Sequence, residues 1–495
     1  MIRNEIQRCE IYSEFSKEEQ KEYFSYKSNK VIHNIDTLYY SAYLDEEIAQ
    51  SRIEKLVAYL SSLAVRYQTG ETLLSCGELS FYPFHFSIYE YCLRLENMFD
   101  IFISKYLPNK NTPRVVVQLR SVGLWLNGAK GMIEDSCKAL ETFLKTFEIN
   151  VMKITENRID YAFHTNIIQN TTKFFSDRNL QRSLKSDMTI YHKVGNIGRQ
   201  IEVDYLSLGN RKSNNIFFRA YNKTKEVVEK NYKGFFIEYW HKSGLISNYD
   251  KWILEKAYER GSFNGLLVAR IEWYLEHGHD ESKKKKLKDL YKKCYEKSDN
   301  STFIADALSG LLPEATIVCN IEFQTKRKFY FTMNEYIDNL PCSVPKSNIY
   351  CRIFQIIENP KPFLDYLTSS TVSFIQGDKY ASWWNRIRTV KIKTLSNGEV
   401  CREYMRNLDI EKLKQRMIGT IAAGSVYKNK CNDNSFTEDV SDMICILNDN
   451  DVAGMVLNTD TGEFLDFKYL GYETVKKRKN RQLKALLEKH IKRKM

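Results

Sequence analysis

The chain contains no Cys-x-x-Cys pair, no internal repeat, no long low-complexity stretch and no apolar run near the roughly 18 residues a membrane span requires. Its eleven cysteines are scattered and odd in number, so neither a zinc ribbon nor a disulfide framework follows, and they read as reduced thiols. The opening Met-Ile-Arg-Asn-Glu-Ile-Gln-Arg has no apolar secretory core. A soluble, cytoplasmic protein with no membrane partner is expected. With 495 residues, 43% of them hydrophobic, the chain is long enough for a sizeable core and too long for one compact unit. Lys and Arg outnumber Asp and Glu by 74 to 62, a formal charge of +12, and that surplus favours a polyanion, with nucleic acid the leading class.

The pattern of elements predicts an α+β protein. Residues 1–30 form an arm without clear periodicity. Residues 31–280 mix strands, such as 35–44, 115–120, 158–164, 201–208, 215–223 and 266–275, with amphipathic helices, such as 45–60 and 130–147. This predicts a mixed or antiparallel sheet with helices on one face, holding all the chemistry. Gly209-Asn210 suits a tight turn between two of the strands. After His277-Gly-His279 and the run Lys283–Lys286 the pattern becomes mostly helical, at 301–312, 332–340, 350–368 and 410–421, punctuated by Pro341, Pro345, Pro360 and Pro362 and closing on a basic tail. Residues 281–495 are therefore expected to form a second, mostly α-helical domain that recognises DNA. His277 and His279 read as an exposed loop.

Alternation along the strands gathers the polar side chains. In Phe218-Arg219-Ala220-Tyr221-Asn222-Lys223, Arg219, Tyr221 and Lys223 share one face while Phe218 and Ala220 pack beneath. Arg158, Asp160 and His164 share a face of Arg158-Ile-Asp-Tyr-Ala-Phe-His164, as do Arg270 and Glu272 of Arg270-Ile-Glu272, and Glu202 with Asp204. Asp160, Glu272 and His164 are the candidate ligands of a divalent metal, Mg²⁺ or Mn²⁺, able to polarise a phosphoryl oxygen. Arginines suit the remaining phosphate oxygens. Tyr221 is the candidate nucleophile, provided that Arg219 and Lys223 favour its phenolate. The alternative is a solvated face of salt-bridged rungs.

In order and content these residues resemble the plasmid rolling-circle replication initiators of the transposon-linked Rep type and the related relaxases of integrative conjugative elements. The resemblance rests on Arg158-Ile-Asp160, the turn Gly209-Asn-Arg211-Lys-Ser213, Arg219-Ala-Tyr221-Asn-Lys223 trailed by Glu226, and Arg270-Ile-Glu272, with a weaker likeness at Trp383-Trp384-Asn-Arg386-Ile-Arg388. Two departures are His164, where the family often has a second carboxylate, and Asn210 in place of the turn serine. The resemblance implies a metal-dependent DNA strand-transferase: Tyr221 attacks an origin phosphodiester and becomes joined to the 5′ phosphate, assisted by Arg211, Arg219, Lys223 and Arg270. Single-stranded or hairpin origin DNA and a duplex origin site are the implied partners, with homodimerisation and a host helicase as further ones. A non-catalytic DNA-binding or plasmid-control protein, and a metal-dependent nuclease in which water attacks, are compatible with the same residues.

Overall fold

The structure is a computed structural model that describes residues 4–396, apart from 46–49, 72–73, 87, 107–112, 172–173, 175–180, 183–189, 198–199, 231–232 and 297–306, and a few positions between 420 and 438. The chain separates into two compact units, Met1–Glu403 and Tyr404–Met495. The helix expected at 410–421 and the basic tail lie almost wholly outside the described residues.

Alternating sequence gives the strands β1 (Val31–Leu44), β2 (Ser75–Cys76), β3 (Leu79–Phe86), β4 (Tyr89–Leu95), β5 (Phe99–Ile103), β6 (Val115–Leu119) and β7 (Val151–Thr165). Beyond the two-residue β8 (Gln181–Arg182) come β9 (Ile190–Ile197), β10 (Gln200–Leu208), β11 (Ile216–Asn222) and β12 (Cys319–Lys326). All but β8 join one antiparallel sheet of eleven strands in the order β2-β3-β4-β5-β6-β1-β7-β12-β11-β10-β9. The α+β class and the antiparallel sheet are as the pattern predicts.

One face of the sheet carries the apolar core. Leu38, Tyr40, Ile159, Tyr161, Phe163, Phe218, Ala220, Ile321 and Phe323 pack there in one core with the helices α1 (Gln50–Gln68) and α2 (Ser121–Lys145). Gly128, inside α2, has φ 80° and ψ 160°, a conformation that L side chains rarely adopt, and the helix kinks there. Trp384, part of the weaker likeness noted above, is core: it touches Phe218 and Phe323, and its indole N–H is spent on the Thr368 carbonyl. The opposite face is covered at one end by α3 (Lys223–Glu229), α4 (Phe235–Ser243), α5 (Asn248–Glu259) and α6 (Gly265–His277). These build a second core with Ile6, Ile11, Phe15 and Phe24 of the N-terminal arm, so the arm is part of the fold.

Three expectations need correction. The segment around Arg270 and Glu272 is the helix α6, because Leu266, Ala269, Arg270, Trp273 and Tyr274 are buried at helical spacing. The Gly209-Asn210 pair opens a longer connection, 209–215, in which Asn210 Oδ1 accepts from the N–H groups of Lys212 and Ser213 at 2.8 and 3.3 Å. Finally, no boundary between compact units falls at 280: β12, which follows it by some forty residues, fills the gap between β7 and β11 with seven buried residues. Among the described residues no helix is long and apolar enough to cross a membrane.

A chain ending at residue 280 would leave β7 and β11 with facing, unpaired edges and their buried polar side chains without partners. Residues 31–280 should therefore show no cooperative thermal transition by circular dichroism, whereas residues 1–403 should unfold in one.

Candidate active site

The site lies on the second sheet face and follows from strand register. Asp160 stands opposite Gln324, Ala162 opposite Glu322, and His164 opposite Asn320 across β7 and β12. Glu322 in turn faces Arg219, and Asn320 faces Tyr221, across β12 and β11. Side chains of paired residues point to the same face, so one polar surface runs over three strands. It is buried: Asp160, His164, Asn320, Glu322 and Gln324 are all inaccessible. Buried charges must be paired, and these are. Arg158 Nε donates to Asp160 Oδ1 at 2.8 Å, with its Nη2 on the other oxygen. Arg219 grips Glu322 through Nε and Nη2 at 2.9 and 2.8 Å.

Tyr221 sits at the end of this row, 7% exposed. Asn320 Nδ2 and Lys223 Nζ donate to its Oη at 3.0 and 3.3 Å, and the hydroxyl donates to Glu226 Oε2 at 3.3 Å. The strand stops at Asn222, whose side chain caps α3 by accepting from the Lys225 N–H at 3.0 Å. Lys223 is thus the first helical residue rather than the next rung of the strand, yet its ammonium turns back to the phenol. The Asn of Arg-x-Tyr-Asn-Lys has a defined job, ending the strand and starting the helix that brings Lys223 and Glu226 to Tyr221. Tyr205 pairs with Tyr221 across β10 and β11, the rings 6.2 Å apart. Arg211, in the 209–215 connection, reaches Gln324 Oε1 from Nε at 3.3 Å and so joins the same surface.

Burial governs the electrostatics. It raises the Tyr221 phenol above its ordinary value, and Lys223 and Arg219, which act the other way, do not overcome it. The expected phenolate is not what this arrangement stabilises. Burial would lower Lys223, but the Tyr221 phenol and the Asp36 and Glu226 carboxylates outweigh it and hold the ammonium protonated. Burial would raise Glu226, and Lys223 and Lys233, each bonded to it at 2.7 Å, instead hold it well below the carboxylate range. Asp36, the residue at the bulge of β1, is likewise held low against its burial by Lys223 and Lys233, and accepts from the Trp125 indole at 2.9 Å.

Two of the expected metal ligands do not qualify. Glu272 lies on α6, engaged by Arg260 and Tyr291 at 2.6 and 2.8 Å, with no contact to the sheet cluster. Arg270 is also elsewhere, donating to the Leu312 carbonyl at 2.7 Å. His164 is on the polar face, but stacked on Trp125 with ring centroids 4.3 Å apart, and burial depresses it to about 3. Its Nδ1 accepts from the Trp240 indole N–H at 3.0 Å, so the neutral ring carries its proton on Nε2. Ligation through Nε2 would require an imidazolate. Among the described residues no group of three or more His, Cys, Asp and Glu side chains is placed to hold a metal ion. Tyr274 donates to Glu14 at 2.6 Å and His279 meets Glu19, both remote from Tyr221 in the arm-to-helix contacts. The side chains of Glu202 and Asp204 lie outside the described ones.

Glu322, Asn320 and Gln324 were missed because residues beyond 280 read as helical. The signal was present in Cys319-Asn-Ile-Glu-Phe-Gln-Thr-Lys326, where polar and apolar residues alternate with period two. Asp36 carried no such signal, since a bulge sets its direction.

No family model matches the chain, and no curated protein matches it. Among solved structures it is similar to a rolling circle replication initiator protein from Geobacillus stearothermophilus, at 10% identity and a TM-score of 0.32 over 74% of this chain and 100% of that one.

His164 gives the stability a defined pH dependence. Its folded value near 3 lies below the ordinary 6.5, so the unfolded chain binds the extra proton between them. Stability should be full above pH 6.5 and fall toward pH 3. In urea titrations at pH 7.5 and 5.5, His164→Gln should reduce that slope by up to one proton, about 1.4 kcal/mol per pH unit. The amide oxygen can still accept from Trp240, so its own cost at pH 7.5 should stay at about 1–3 kcal/mol.

Proposed function

We propose that the chain is a replication-initiator-like nicking protein that cuts one DNA strand with Tyr221 as nucleophile. The observation that carries this reading is the convergence of Tyr221, Arg219, Lys223 and two buried Arg–carboxylate pairs on one sheet face. A scissile phosphodiester brought to that face would compete with Glu322 for Arg219 and with Asp160 for Arg158, since a guanidinium fork fits phosphate as well as carboxylate. Tyr221 Oη then attacks phosphorus, the bond from phosphorus to the 3′ oxygen breaks, and that oxygen leaves as a 3′ hydroxyl once protonated. The phenol proton has an acceptor in Glu226 Oε2, and Lys223 offsets the charge that develops on Oη. Arg211 borders the same surface and would extend the phosphate contacts.

A divalent metal fits a revised ligand set. Asp160 and Glu322 are diagonal neighbours on β7 and β12, and Asn320 Oδ1 between Tyr221 and His164 is a buried acceptor with no partner. Two carboxylates and an amide oxygen suit Mg²⁺ or Mn²⁺ once the arginines move to phosphate. When bound, the ion would polarise a phosphoryl oxygen. With His164 excluded the donors are all oxygen, so no imidazole ligand favours Mn²⁺ over Mg²⁺.

The burial of Tyr221 favours one competing reading, in which water attacks and the tyrosine only positions the phosphate. A covalent adduct separates the two. Incubated with single-stranded DNA and Mg²⁺, the protein should run on a denaturing gel as a band shifted by attached DNA; Tyr221→Phe should abolish the shift and Tyr205→Phe should keep it. Cleavage without any adduct would show water as the nucleophile.

Removal of one metal carboxylate should cost several kcal/mol of transition-state stabilisation, roughly a hundredfold or more in rate. Single-turnover cleavage by Asp160→Asn and Glu322→Gln should fall by that much, while Glu272→Gln should match the wild type.

A further inference from the structure

We infer that the edge of β7 beyond its bulge, which β12 leaves unpaired, carries a second nucleic-acid contact, a cavity that takes one or two nucleotides of a single strand, with a base on Phe331 and phosphates on Lys153, Arg327 and Lys346. This inference rests on the proposed function only for the identity of the polymer.

The cavity originates in a bulge of β7. The register passes from Arg158 opposite Tyr39 to Glu156 opposite Tyr40, leaving Asn157 unpaired. The alternation flips there, so that Glu156 and Ile154 stand on the side of the apolar core, where both Tyr40 and Ile154 belong. Between this end of β7 and the helices α7 (Arg327–Phe331), α8 (Asn334–Asp338) and α9 (Cys351–Ile357) lies a cavity of about 750 Å³. Its volume falls in the range of pockets that hold whole small molecules, roughly 300–1,000 Å³, and is far more than one phosphate needs.

Its charge is unbalanced in a particular way. The two carboxylates of the wall, Glu156 and Asp338, are both engaged by Arg352, at 2.9 and 3.1 Å, with Asn334 as a third acceptor at 2.8 Å. One arginine thus satisfies all the acidic groups of the lining. Lys153, Arg327 and Lys346 line the same space, and among the described residues none of their side chains has an ion-pair or hydrogen-bond partner. With Arg352 included, four cations stand against two carboxylates in the lining, and that net charge of +2, with three of the cations unpartnered, makes the concavity an anion site.

The apolar part is equally unbalanced. Phe331 and Met152, 45% and 58% exposed, are among the few large apolar side chains left open to solvent, and both line this cavity. Thr155 Oγ1, also in the lining, is buried without a partner. An open aromatic ring flanked by cations is the arrangement by which single strands are held, bases stacking on the ring and phosphates following the charges. Duplex DNA, its base faces already stacked on one another, could use the cations but not the ring. A strand crossing from Tyr221 to this cavity would pass around the sheet, holding the DNA flanking the nick after the cut.

The test uses the full-length protein and a single-stranded oligonucleotide carrying 5-bromodeoxyuridine, with ultraviolet crosslinking, peptide mapping and the denaturing gel for the Tyr221 adduct read on the same samples. A crosslink is expected on the peptide bearing Phe331. By fluorescence anisotropy Phe331→Ala should weaken oligonucleotide binding about tenfold, as loss of one stacked base does. Lys153→Gln with Lys346→Gln should make the salt dependence shallower by about 1.4 in log–log slope, two phosphate contacts of a single strand. These three residues are exposed or at the cavity wall, and urea midpoints close to wild type will confirm that the variants fold. Unchanged affinity and slope in the variants would overturn the inference, as would displacement of the oligonucleotide from the Phe331 crosslink by a lower concentration of thymidine monophosphate, which would make the cavity a mononucleotide site. An adduct without the Phe331 crosslink overturns this inference alone; the crosslink without an adduct overturns Tyr221 nicking alone.

Discussion

Ionised side chains held inside a sheet have to be neutralised by the sheet itself, and the pairing of Arg219 with Glu322 across β11 and β12 is where this protein meets that requirement. Taking either charge out of water costs several kcal/mol, which only an opposite charge in good geometry offsets. The pair therefore ties the position of β12 to that of β11, and through Asn320 and Gln324 to the phenol of Tyr221 and the connection that bears Arg211. A strand supplied from far along the chain completes both the hydrogen-bond ladder and the charge balance. The two are one constraint, since neither β7 nor β11 could keep its polar face buried without β12 between them.

The same neutralisation explains why Tyr221 rests as a protonated phenol. Two cations touch its ring, Arg219 at 5.1 Å and Lys223 at 5.6 Å from the centroid, yet each is matched by a carboxylate nearer to it than the phenol oxygen is. Their field at Oη is largely cancelled and burial prevails. Anything that draws Glu322 or Glu226 away from its cation, or brings the negative charge of a phosphodiester to the arginines, changes that balance. A reactive phenol here depends on rearranged pairing rather than on a standing low pKa.

The two faces of the sheet divide the molecule's tasks through backbone irregularities. The bulge at Asp36 in β1 turns a carboxylate toward Lys223, and the bulge at Asn157 in β7 turns Glu156 toward Arg352 and the cavity on the other side. Without these one-residue insertions both carboxylates would stand on the wrong face. α2 and α4 close one end of the polar face with aromatic rings, Trp125 of α2 and Phe236 and Trp240 of α4 packed about His164, which keeps that histidine neutral and its Nδ1 occupied.

The local pattern was legible wherever side-chain periodicity and burial agree. The period of two along Arg158–His164 and Phe217–Tyr221 determined that Asp160, Arg219 and Tyr221 share a polar face, and the Asn after the tyrosine carried the cap that ends the strand. What sequence could not determine was which distant segments would complete that face. Arg270-Ile-Glu272 has the same residue types as a site strand, but Leu266, Ala269, Trp273 and Tyr274 bury at helical spacing against α5 and the arm, and that packing, made only in the folded chain, takes Glu272 to Arg260 and away from the metal position. Glu322 took the expected place because backbone edges left open by β7 and β11 accept whichever strand can pair with both and supply the opposite charge. Periodicity is a property of neighbours along the chain and so is readable from it; charge pairing across a sheet joins residues more than a hundred positions apart, and only the tertiary structure decides it.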